Sequence, residues 1–129
     1  MTAPSPITYE QVNSLLAAAH DASEHARQVR NHADHARRMI AHAAAGMSST
    51  PAEYEHIATA ASQLEIIAGT TADAAGFYAE TARTTPNLRD MYTDKTTRAT
   101  HRTAQLETAA KHLARAAEAI YFSTYYLEP

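Results

Sequence analysis

What most constrains this chain is a rhythm. From Val12 onward, Leu15, Ala19, Ala22, Ala26, Val29, Ala33, Ala36, Ile40, Ala43 and Met47 follow in alternating steps of three and four, and all are apolar. An α-helix turns once in about 3.6 residues, so this spacing lays them along one stripe; a strand, with period two, could not. The start is also written in the residues. Thr8 followed by Gln11 is a capping box, with Ile7 and Val12 placed as a hydrophobic staple. Gly46 is suited to close the far end, because it enters the left-handed region without a Cβ clash. A helix of that length spans roughly 55 to 60 Å. Alone it cannot bury its stripe, so it requires partners.

The rest of the chain supplies two. After Met47-Ser48-Ser49-Thr50-Pro51, a second capping box is expected from Thr50 and Glu53, with Pro51 in the first helical position. The rhythm resumes through Tyr54, Ile57, Ala61, Leu64, Ala68, Thr71, Ala75, Tyr78 and Ala82. Gly69 and Gly76 weaken this helix, and a kink near Gly69 is expected. A break at Thr84-Thr85-Pro86-Asn87, with Thr85 or Asn87 as the cap, leads into a third stripe: Tyr92, Thr96, Ala99, Thr103, Leu106, Ala110, Leu113, Ala117, Ile120, Thr124 and Leu127. Short turns join only antiparallel neighbours. The expected fold is therefore all-α, an elongated antiparallel up-down-up three-helix bundle with coiled-coil-like heptad seams. Its helices cover about residues 8–46, 51–84 and 87–127, and a flexible arm, residues 1–7, precedes them. The topology brings the end of the third helix beside Tyr54, and Tyr9 near Tyr78, Leu88 and Tyr92.

Composition enters through alanine, the commonest residue on the first two stripes and level with threonine and leucine on the third. Alanine favours helix but buries little area, so the core should be narrow and the helices close. There is no cysteine, which removes disulfides and thiolate sites together. The formal charge of −3 gives no electrostatic reason to expect nucleic acid. Arg27, Arg30, Arg37 and Arg38, with Lys95, Arg98 and Arg102, could form a basic stripe, but Asp34, Asp90 and Asp94 lie among them, as on an ordinary solvated surface. Protonating all eight histidines would carry the charge from −3 to +5 and make the chain sensitive to mild acid. No leader pattern or membrane-spanning run is present, and the expected location is cytoplasmic with no membrane attachment.

Charge pairs at helical spacing are expected between Glu24 and Arg27, Asp34 and both Arg37 and Arg38, Asp94 and Arg98, Glu107 and Lys111, and Asp21 and His25. Catalytic patterns are absent: there is no nucleophile elbow, no His-Glu-x-x-His and no phosphate-binding glycine loop, so an enzyme is not expected. A di-iron centre would need two Glu-x-x-His pairs; only Glu53 to His56 is present, and the expected capping box accounts for Glu53.

Two readings remain. The first is a non-enzymatic helical interaction or assembly protein, working by self-association or as an accessory subunit of a larger complex. It rests on apolar residues beyond what three helices need. Ala58, Ala60, Ile67, Ala72, Ala74 and Ala79 flank the second stripe, Ile66 and Phe77 fall on its outer face, and Tyr121, Phe122, Tyr125 and Tyr126 crowd the end of the third helix. The second is a histidine-rich metal-binding or pH-sensing protein. His25, His32, His35, Met39 and His42 run beside the first stripe in the same rhythm, with His112 at the height of Met39. Of these, His32, His35, Met39, His42 and His112 could share copper, nickel or zinc.

Overall fold

The computed structural model describes residues 6–127, with side chains described as far as Thr124. The chain order is α1 (Tyr9–Ala44), α2 (Ala52–Thr84), one 3-10 turn (Pro86–Leu88) and α3 (Arg89–Leu127). Each helix packs against both others, giving the all-α three-helix bundle that the stripes require.

The register is fixed by contacts between helices. His25 meets Glu107, His35 meets Glu118, and the Thr100 hydroxyl donates to the Ala18 carbonyl at 2.8 Å, pairs separated by 82 or 83 residues. A constant offset means that α1 and α3 run parallel. The intervening α2 is antiparallel to both: Arg37 near the end of α1 reaches Ser62 and Glu65, while Tyr54 near the start of α2 meets Thr124 near the end of α3.

The core is a column of small residues. Fourteen of the nineteen buried apolar side chains among the described residues are alanine, and this lets the helices approach closely. Leu15, Ala79 and Ala82 form one end, followed by Ala22 with Ala72, Ala75 and Ala99, then Val29 with Ala68 and Ala110. The far end is broadest, where Ile40, Tyr54 and Ile57 join Ala36, Ala61 and Ala117. Two threonines, Thr96 and Thr103, are fully buried, and their hydroxyls donate to the Tyr92 and Thr100 carbonyls of their own helix. No buried side-chain polar atom among the described residues lacks a partner, so the polar residues of the α3 seam add no unmet desolvation cost.

Local structure follows the expected signals at some termini and departs from them at others. The Thr8 and Gln11 capping box forms in both directions, at 3.1 and 2.9 Å. Ile7, placed in the arm by sequence, packs against Leu15, Ala79 and Ala82. At the other end, α1 stops two residues before Gly46. Gly46 follows the C-cap residue Ala45 in the left-handed region (φ 82°), as expected, and the two form a tight turn closed by Met47 N–H to the Ala44 carbonyl.

The second capping box does not form. Pro51 occupies the N-cap position of α2, without a side-chain cap hydrogen bond. Of the two expected caps, Thr85 takes the N-cap position of the 3-10 turn that leads into α3, without a side-chain cap hydrogen bond, while Asn87 lies inside that turn; Arg89 Nε donates to the Ala82 carbonyl at 3.2 Å, satisfying one of the last carbonyls of α2. Gly69 and Gly76 do not divide α2: one helix runs from Ala52 to Thr84. Tyr9 is 89 % exposed and makes no ring contact with the paired Tyr78 and Tyr92, while Ile7 and Leu15 fill that end of the core.

Candidate interaction surfaces

The apolar surplus on α2 divides into two kinds. Ala72 and Ala79 are buried, so they belong to a core broader than a strict heptad stripe: alanine helices come close enough to bury their flanks as well. Ile66 and Phe77 remain 68 % and 72 % exposed, and Ile67 beside them is also exposed. Ile66 and Phe77 are eleven residues apart, which returns them to one face after about three turns, roughly 16 Å along the axis. Neither α1 nor α3 covers that face, and Thr70 and Asp73 lie exposed between them.

The aromatic end is more internal than its sequence suggests. Tyr54 is buried, with its hydroxyl 3.4 Å from Thr124 Oγ1. Tyr121 is half-buried against the end of the core and touches the rings of His42 and Phe122, at 6.0 and 5.4 Å between centroids. Phe122 is the exposed member; the side chains of Tyr125 and Tyr126 lie outside the described residues. Tyr54 marks the height of this end. Phe77 sits twenty-three residues further along α2, roughly 35 Å away, so the two groups of aromatic and aliphatic residues form separate patches.

The histidine stripe is placed against α3 and shared out among different partners. His35 Nε2 is 2.6 Å from Glu118 Oε1, and His25 Nδ1 is 3.6 Å from Glu107 Oε1 in place of the expected Asp21. Met39 packs on the core, His32 is half-buried, and His112 is exposed. Among the described residues, no three histidine, aspartate or glutamate side chains converge on a point that would hold a metal ion.

Ion pairs form where helical spacing allows: Glu24 with Arg27, Asp34 with Arg37, and Asp94 with Arg98 at 2.7 Å. Sequence spacing could not show the bridges between helices. Arg37 also donates to Glu65 on α2 at 2.9 Å, and Arg30 approaches the same carboxylate. Burial of Arg37 works against its charge, but hydrogen bonds to Glu65 and Asp34 overcome this and hold the guanidinium above its ordinary value. On the surface, the Arg83 hydrogen bond holds the Glu80 carboxyl below the usual carboxylate range.

A trough of about 700 Å³ between α2 and α3 was not legible as a cavity. Its floor is Ala74, Ala99 and Tyr78, and its rim carries Lys95, Arg98 and Arg102. The basic residues could be read from the sequence; the space beside them arises because short side chains on two neighbouring helices leave it empty.

Among the described residues, no helix is long and apolar enough to cross a membrane. Comparison with protein-family models, with curated proteins and with solved structures finds no match. The surfaces themselves therefore carry the functional argument.

Proposed function

We propose that this chain is a non-enzymatic helical interaction or assembly protein, working by self-association or as an accessory subunit of a larger complex, with the outward face of α2 as its principal contact. The observation that carries this reading is the exposure of Ile66 and Phe77 on one face of a helix whose opposite face is already buried. A bundle gains nothing from a phenylalanine held in water, whereas burial of such a side chain is worth about 1.5 to 3 kcal/mol. Aromatic anchors of this kind dominate association energies. Phe122 at the far end of the bundle offers a second, smaller contact.

Sedimentation velocity across a concentration series tests the self-association branch. The wild-type chain should show a concentration-dependent larger species, and Ile66→Ser with Phe77→Ser should weaken it at least about tenfold while helicity is kept. Association unchanged in the double variant would remove the α2 face from the proposal. A wild-type chain that stays monomeric throughout would remove self-association and leave only the accessory-subunit branch.

A second reading, pH sensing by the histidines, is favoured by the two bridges from α1 to α3. Each His–Glu pair is a full ion pair only when its imidazole is protonated. Metal binding by His32, His35, Met39, His42 and His112 would require His35 to leave Glu118 and Met39 to leave the core.

A further inference from the structure

The trough between α2 and α3 differs in charge from the rest of the surface. Elsewhere several cations stand against carboxylates: Glu24 with Arg27, Asp34 and Glu65 with Arg37, Glu80 with Arg83. The neighbouring trough on the other side of α3, about 530 Å³, includes Asp21 and His25 in its wall. The α2–α3 trough has Lys95, Arg98, His101 and Arg102 in its wall and no carboxylate. Arg98 is paired with Asp94 outside the trough, but Lys95 and Arg102 have no carboxylate partner among the described residues. In a chain of formal charge −3, this is a local concentration of uncompensated positive charge.

Its geometry is also specific. Lys95, Arg98 and Arg102 follow at helical steps of three and four, so their charged ends line one edge over roughly 10 Å. The Lys95 ammonium stands 5.6 Å from the centroids of both the Tyr78 and Tyr92 rings, which fixes it over the aromatic end of the trough. Beneath the charges, the methyl groups of Ala74 and Ala99 and the Tyr78 ring make an apolar floor. A volume near 700 Å³ falls within the usual range for small-molecule sites.

We propose that this trough binds a soluble amphiphilic anion, a carboxylate or phosphate monoester on an apolar body, with the head between Lys95 and Arg102 and the body over Ala74, Ala99 and Tyr78. Charge complementarity selects the anionic head, and the apolar floor selects the body. Inorganic phosphate satisfies the first alone, and a neutral alkanol the second alone, so each binds more weakly than the combination. The proposal does not rest on Ile66 or Phe77: the trough meets the α2 outer face only at Thr70.

The test is titration of the full chain with monomeric dodecyl phosphate, followed by backbone amide NMR. Inorganic phosphate, decanol and dodecyltrimethylammonium serve as comparison probes. The expected result is saturable one-site binding with shifts concentrated at Ala74, Tyr78, Lys95, Ala99 and Arg102, and at least tenfold weaker binding of each comparison probe. Lys95→Gln with Arg102→Gln should weaken dodecyl phosphate at least tenfold at unchanged helicity. Ala74→Leu, which fills the floor and keeps every charge, should weaken it as well. The proposal is overturned if the cationic amphiphile binds equally well, if either variant binds as the wild type does, or if the shifts centre on Ile66 and Phe77. Tighter binding of a single-stranded oligonucleotide or of anionic vesicles than of the free amphiphile would also overturn it, since the ligand class would then be a polyanion or a lipid surface.

Discussion

Glycine shows how one substitution changes sign with its place in the backbone. Gly46 holds φ at 82°, where an L-residue meets its own carbonyl, so Gly46→Ala should destabilise the bundle by about 1 kcal/mol although a Cβ there meets nothing else. Gly69 and Gly76 lie inside α2, and a Cβ at either also meets no atom within 4 Å. Replacing each by alanine should stabilise the fold by about 0.5 to 1 kcal/mol, because the freer unfolded glycine loses more entropy on entering a helix. Thermal melts of the three single variants check both directions. The glycines were visible in the sequence, but their consequences were only partly so. That Gly46 takes a positive φ was expected from its position, and α2 continues as one helix through Gly69 and Gly76.

At the scale of the element, each helix is defined by its stripe and joined to its neighbours by what flanks that stripe. The seam residues of α1 read from the rhythm are buried or half-buried throughout the helix, and Met47, past its end, is exposed. Flanking contacts were much less legible. Glu107 was assigned to Lys111 by helical spacing and instead meets His25 on α1, since its heading depends on the rotation of α3 in the bundle. These bridges are partly solvated: His35 and Glu118 side chains are 38 % and 40 % exposed. Glu118→Gln should therefore cost under about 1 kcal/mol at neutral pH. A larger loss in chemical denaturation would mean that the bridge determines the α1–α3 register rather than decorating it.

For the whole molecule, the decisive property is how little space separates the helices. Ala61 is fully buried between Ile57 and the alanines of α1 and α3, so Ala61→Leu must push the helices apart. It should cost about 1 to 3 kcal/mol, although leucine is a good helix former, second only to alanine, and more hydrophobic. Measured by chemical denaturation, an unchanged stability would show that the bundle is looser than its alanine column implies. The same closeness shapes the surfaces. Helices in near contact bury Ala72 and Ala79, which a narrower stripe would leave outside, while Ile66 and Phe77, on the outer face by helical phase, stay exposed. Where α2 and α3 both present short side chains beside the seam, the trough edged by Lys95 and Arg102 is left open.

Periodicity, capping residues and turn lengths determined that this chain forms three helices in an up-down-up bundle, because these are local properties whose signals repeat along the chain. Which side chains meet across helices was decided only by the tertiary structure. A heptad rhythm specifies a face but not the rotation and axial shift of its neighbour. Those two quantities set His35 against Glu118 and gather three cations at the edge of one trough.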